Sequence, residues 1–170
     1  MSTVQAEQAV AAGGVERGAA EALLFREARL LDAADHRGWL DLLTEDVVYW
    51  IPSWHCESEL VDDTSRDVSL LLLDRSGLED YATRALSGHA HVMDPPGRTD
   101  RLVSNVMVDD PAQGVVHCKW LLHLYRGGRQ EIFGGSCEYR LRRENGQLKI
   151  ASKKVVLTND GIRAGFLPLV

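Results

Sequence analysis

A chain of 170 residues, 45 % hydrophobic and 26 % charged, has the composition of one folded domain able to bury a core. Its net charge of -6, from 19 basic and 25 acidic residues, weighs against nucleic acid or an anionic membrane surface as partner, because both attract basic patches. No apolar run reaches the roughly 20 residues of a bilayer span, and the N-terminus lacks the basic start and apolar core of a signal peptide, so a cytoplasmic protein is expected.

Residues 1–14 are rich in Ala, Gly, Gln and Val without a period and are expected to form a flexible arm ahead of a single domain over 15–170. From Glu21 onward, Leu23, Leu24, Ala28, Leu30, Leu31 and Ala34 recur at three- and four-residue steps, with Arg26, Glu27 and Arg29 between them. That spacing predicts an amphipathic helix ending near 35–38. A second short helix over 37–43 would bury Trp39, Leu42 and Leu43. The β-branched and aromatic run Val47 to Ile51, closed by Pro52, predicts a strand over 46–52.

Residues 53–67 read as a long polar excursion in which Glu57, Glu59, Asp62, Asp63 and Asp67 face a single Arg66. Loops of this length in compact domains are commonly functional, flexible or held by a partner. Residues 68–73 suggest a short strand or helix lead-in. Ser76, with Glu79 three residues on, would cap a helix over 77–86.

Four strands then follow with no helix between them, over 99–109, 114–125, 130–143 and 147–158. Asp109-Asp110-Pro111, Arg126-Gly127-Gly128-Arg129 and Glu144-Asn145-Gly146-Gln147 supply the turns, and Asn-Gly is a strong hairpin signal. In the second of these strands Val116, Cys118, Trp120, Leu122 and Leu124 share one face. His117, Lys119 and His123 share the other with Val115, Leu121 and Tyr125. Gly134-Gly135 inside a strand suggests a bulge or sharp bend, as a strongly curled sheet requires. The pattern predicts an α+β fold with N-terminal helices packed in a curved, mainly antiparallel sheet, a shape suited either to a small-molecule pocket or to a scaffold for assembly.

Candidate chemistry is sparse. His89 and His91 would share a face in an extended segment, with Asp94 nearby, but the run into Asp94-Pro95-Pro96-Gly97 leaves that face unassured. His55-Cys56 and His117-Cys118 are adjacent pairs whose side chains diverge in a strand. Cys56, Cys118 and Cys137 lack the spacing of an iron–sulfur cluster or structural zinc and read as free thiols. Paired acids such as Asp62-Asp63 and Asp109-Asp110 fall in polar turns, and no phosphate loop stands at a strand-to-helix junction. Arg98, Arg101, Arg140, Arg142 and Arg143 are spread over several strands and read as ion-pair partners. Trp39, Trp50 and Trp120 are core candidates, and Trp54 is the one best suited to an interface. No catalytic, cofactor-binding or metal-ligating residue is assigned to this chain.

Four segments carry a resemblance: Phe25-Arg-Glu-Ala-Arg-Leu-Leu-Asp32, Tyr49-Trp-Ile-Pro-Ser-Trp54, Arg98-Thr-Asp-Arg-Leu-Val-Ser-Asn-Val106 and Lys153-Lys-Val-Val-Leu-Thr-Asn-Asp160. With them the chain resembles the β (small) subunit of aromatic-ring-hydroxylating dioxygenases, the Rieske non-haem iron oxygenases. The third segment, with its preceding His-Ala-His, is most similar to the benzoate and cumate types. The resemblance implies a cone-shaped fold like nuclear transport factor 2 and the ketosteroid isomerases. It implies an α (large) subunit as partner, typically as α3β3, with electrons reaching α through a reductase or ferredoxin. It also implies no cofactor in this chain, the Rieske 2Fe-2S cluster and mononuclear iron belonging to α, and a mainly structural role in oxidising an aromatic, in particular an aromatic acid. The alternative is a stand-alone enzyme of the same fold, an isomerase or dehydratase, or a small-ligand-binding protein. Aligned on Pro52, Ile51 falls where ketosteroid isomerases place their general-base aspartate, and Glu27 where they place the oxyanion-binding tyrosine. Isoleucine cannot remove a proton. The acidic loop 53–67 and Arg98–Arg101 are the candidate interface segments.

Overall fold

A computed structural model describes residues 14–56, 58–61, 63–64, 68–87, 97–159 and 168–170. The expected arm therefore lies, but for Gly14, outside the described residues, as do His89, His91 and Asp94 and parts of the acidic loop.

Helix α1 spans Arg17–Asp32, four residues earlier than the apolar period suggests, because the Arg-Gly-Ala-Ala stretch continues the helix and buries Ala20. It stops at Ala34, whose φ of 55° takes the left-handed conformation that commonly ends helices. Helix α2, His36–Leu40, follows at once, with the Asp35 carboxylate accepting from the Gly38 amide at 2.9 Å. It ends before Leu42 and Leu43, which were expected within it. Strand β1, Leu43–Pro52, begins instead at Leu43, and both leucines enter the core.

The excursion after Pro52 is not wholly irregular. It holds a two-stranded antiparallel ribbon, β2 (Trp54–Cys56) and β3 (Glu59–Leu60). Strand β4, Ser69–Leu73, settles the ambiguity at 68–73 in favour of extended chain. Helix α3, Arg75–Ser87, starts earlier than expected. Asp74, not Ser76, caps it by accepting from the Gly77 amide at 2.9 Å, and Glu79 pairs with Arg75 at 2.7 Å.

Strands β5 (Arg98–Asp110), β6 (Val115–Arg126), β7 (Arg129–Glu144) and β8 (Gln147–Leu157) form the expected run. With β1 and β4 they make one six-stranded sheet in the order β4-β1-β8-β7-β6-β5. Every pairing is antiparallel except β1 with β8, which is parallel. Strand β7 runs through Gly134 and Gly135 in unbroken register with β6, without the expected bulge, and comes so close to β8 that a β-carbon at Gly135 would stand 1.9 Å from the Val156 carbonyl oxygen. The sheet is irregular in β5, where Asn105 has a φ of 52° and the register with β6 shifts. At the Asn145-Gly146 turn both φ values are positive, as a type I′ hairpin demands.

The concave face packs on α1 and α2. Val116, Cys118, Trp120, Leu122 and Leu124 all point into this core with Leu24, Leu31 and Trp39, as their shared parity predicts. Burying side chains of this size stabilises by about 1.5–3 kcal/mol each. The convex face shows Val48, Leu72, Leu102, Leu121 and Ile132 to solvent. Arg142 forms a surface network with Asp46 and Glu144, both at 2.6 Å, which raises its pKa and holds the Asp46 carboxyl well below the usual range.

Candidate functional site

The cone interior is where this fold can hold chemistry, and it is lined from both layers. On α1, Glu27 lies four residues after Leu23 and four before Leu31, so it shares the inward stripe with them. On the sheet, Tyr49, Lys153 and Tyr139 are register partners across β1, β8 and β7. They form one row beneath α1.

These groups close on one another. Lys153 Nζ lies 2.9 Å from Glu27 Oε2, both side chains being only 2–3 % exposed. The Tyr139 hydroxyl donates to Oε2 at 2.9 Å and Trp39 Nε1 donates to Oε1 at 3.2 Å. Lys153 also donates to the Val170 carbonyl oxygen, and its ammonium stands 5.0 Å from the Tyr139 ring and 5.7 Å from the Tyr49 ring. The Tyr49 hydroxyl both donates to the Val170 carbonyl and accepts from the Val170 amide, each at 3.0 Å. Burial raises the pKa of both tyrosines, so they are neutral hydrogen-bonding groups.

A general acid or base must reach a bound substrate. Glu27 and Lys153 are instead held by each other and by three further protein groups, and the space beside them is about 10 Å³. That is near the lower limit for one water molecule. Ile51 is buried in the same core at 1 % exposure, and its hydrocarbon side chain cannot act as a base. The cluster fixes α1 and Val170 onto the sheet.

Cys118 and Cys137 face each other across β6 and β7 in this interior, directly in register. A hydrogen bond between them lowers the Cys118 thiol, while burial pushes Cys137 up. Cys56 is exposed on the β2–β3 side, where the Ser58 backbone and hydroxyl lower its pKa. His117 turns to the opposite face from Cys118 and lies 2.6 Å from Asp109 and 3.3 Å from Glu138. Among the described residues, no three His, Cys, Asp or Glu side chains stand together as a metal-binding group.

The arginines divide. Arg101 is not the interface candidate it was expected to be. Its side chain is 6 % exposed, and it donates to Asp32, to Thr99 at 2.9 Å and to the Leu169 carbonyl. Arg98 instead lies 4.8 Å over the Tyr125 ring at the surface. Trp54 is half-buried, donating to the Leu157 carbonyl at 2.7 Å.

The Glu27–Lys153 pair is what sequence reasoning missed. Its signal was positional, Glu27 falling on the apolar stripe of α1 and Lys153 on the inward parity of Val155 and Leu157. The periodicity alone reads Glu27 as one of the polar residues between the apolar positions and gives Lys153 no face.

A family model described as "Ring hydroxylating beta subunit" matches residues 26–164. The 2-halobenzoate 1,2-dioxygenase small subunit of Burkholderia cepacia is 35 % identical over 142 residues, covering 82 % of this chain and 86 % of its own. The small oxygenase component of the p-cumate 2,3-dioxygenase system of Pseudomonas putida is 34 % identical over 153 residues, covering 88 % and 83 %. The crystal structure of the benzoate 1,2-dioxygenase β subunit of Burkholderia mallei superposes with a TM-score of 0.71 at 32 % identity, covering 86 % of this chain and 93 % of that one.

Proposed function

The chain belongs to the ring-hydroxylating β subunits, the small subunits of aromatic-ring dioxygenases, and we propose that it serves its enzyme by supporting assembly of the catalytic α subunits rather than by chemistry of its own. The observation that carries this reading is the filled cone interior: an ion pair with its hydrogen bonds taken up, Ile51 in the core, and about 10 Å³ of free space beside them. A stand-alone isomerase or dehydratase would need an open chamber with an available base at that place. Membership of the subunit family also speaks against it.

In this reading the partner is an α subunit in an α3β3 complex, located in the cytoplasm. The Rieske cluster and mononuclear iron would reside in α, with electrons delivered through a reductase or ferredoxin. The described thiols of this chain do not fit a cluster: Cys118 and Cys137 are buried against each other and Cys56 is remote on the β2–β3 ribbon. No redox step is assigned to this chain.

The substrate proposed for the complex is a monocyclic aromatic acid. Support comes from the relatives, which are named for 2-halobenzoate and p-cumate, and from the third resemblance segment. Co-expression with the α subunit, followed by sizing and iron assay, tests the role. The expected result is a stoichiometric complex in which iron follows α. A chain that never enters such a complex, yet turns over a small molecule alone, would contradict it.

A further inference from the structure

Two consecutive residues, Leu169 and Val170, fill part of the cone interior without joining its helices or its sheet. They belong to no helix or strand, yet they are only 2 % and 5 % exposed. Side chains of the interior hold them by their backbone, as a bound peptide is held. The Tyr49 hydroxyl donates to the Val170 carbonyl and accepts from the Val170 amide, each at 3.0 Å, and Lys153 donates to the same carbonyl. Arg101 Nη2 donates to the Leu169 carbonyl. These groups aim at the space that residues 169–170 take up, so a molecule in place of that segment would meet them directly.

Free space adjoins both residues. Leu169 borders a cleft of about 130 Å³ at the mouth, beside Tyr81, Ala85 and Leu124, and Val170 borders the inner space of about 10 Å³. Arg101 borders both. The mouth cleft alone approaches the roughly 150 Å³ of an apolar cavity that admits benzene. Vacating the two side chains would enlarge it and join it to the inner space. The charges around this chamber are already balanced, Glu27 by Lys153 at 2.9 Å and Arg101 by Asp32. An ion would give up its hydration there without gaining a counter-charge, which favours an uncharged ligand.

We propose that the cone interior is a binding site for a small, uncharged, apolar compound carrying amide carbonyl oxygens, and that Leu169 and Val170 occupy this site in cis. The carbonyls accept from Tyr49, Lys153 and Arg101, and the apolar groups fill the space toward Tyr81 and Leu124. Carried on the same chain, the segment acts at an effective concentration in the mM range or above, so a free ligand meets an occupied site in the native chain. The site stands beside the assembly role and does not depend on it.

The probe is N-acetyl-leucyl-valinamide, which supplies both side chains and both carbonyls as a free molecule. It is titrated into the native full chain and into Leu169→Gly/Val170→Gly, followed by NMR of the backbone amides and by thermal melts. In the glycine variant, the amides of Tyr49, Arg101 and Lys153 should shift saturably, with Kd on the order of 1 mM. At about ten times that concentration the melting temperature should rise by about 3–6 °C. The native chain should bind the probe at least about tenfold more weakly. N-acetyl-glycyl-glycinamide, which keeps the carbonyls and lacks the side chains, should bind neither chain. Should the glycine variant fail to fold, Leu169→Ala/Val170→Ala takes its place, refolded with the probe present. No saturable shift in the variant, equal binding by the native chain, or equal binding of the glycine peptide would overturn the proposal. Failure of both variants to fold with the probe present would overturn it too.

Discussion

Lys153 lies between two tyrosine rings and against the Glu27 carboxylate, almost without contact with solvent. Removing one partner of such a pair strands the other charge in the core, which costs about 3–5 kcal/mol, whereas replacing both is often neutral or stabilising. Lys153→Met should therefore lose stability on that scale in chemical denaturation, and Glu27→Gln/Lys153→Met should recover most of it. Equal losses in both variants would mean that the pair itself, not the avoidance of a lone charge, holds the interior. His36 gives a second residue-scale test. Its folded pKa lies below the ordinary 6.5, so the unfolded chain binds the proton more readily. The stability tied to a neutral His36 is complete above pH 6.5 and is lost as pH falls below it toward the folded value. Unfolding free energies measured on both sides of that window should show a smaller pH dependence in His36→Gln than in the native chain. An unchanged dependence would assign the effect to other groups.

At the scale of elements, the two glycines inside β7 differ in how closely the neighbouring strand approaches. A β-carbon at Gly135 would fall 1.9 Å from the Val156 carbonyl, whereas at Gly134 the nearest atom is 3.3 Å away. Gly135→Ala should thus cost about 1–3 kcal/mol or prevent folding, and Gly134→Ala considerably less. Matching thermal melts for the two would argue that the close approach of β7 to β8 at Gly135 does not hold the sheet. The hairpins and the inward parity of Val116 to Leu124 were legible in the sequence, because local spacing dictates each. The starts of α1 and β1 were misplaced because Arg17-Gly-Ala-Ala and Leu42-Leu43 fit more than one element, and only packing decides between them. The Asp74 cap was missed because Ser76 offered an equally good local motif. The parallel pairing of β1 with β8 left no mark in the sequence, since its partners are about a hundred residues apart. The Glu27–Lys153 contact joins helix α1 to β8 over a similar distance in the chain and was hidden for the same reason.

For the whole molecule, two surfaces have opposite characters. Around Glu27 and Lys153 the concave face is filled and the two charges are paired, while the convex face leaves Leu102, Leu121 and Ile132 exposed on neighbouring strands. A subunit that acts through its outside and keeps its inside closed has this distribution. The most direct measurement is the chemical-step rate, in single turnover, of an intact α–β complex carrying Glu27→Gln/Lys153→Met in this chain. The account predicts the native rate per α subunit once the complex has been isolated at full stoichiometry. A rate reduced about tenfold in a fully assembled complex, equivalent to about 1.4 kcal/mol of lost transition-state stabilisation, would show that the interior of this chain takes part in the reaction and would contradict it.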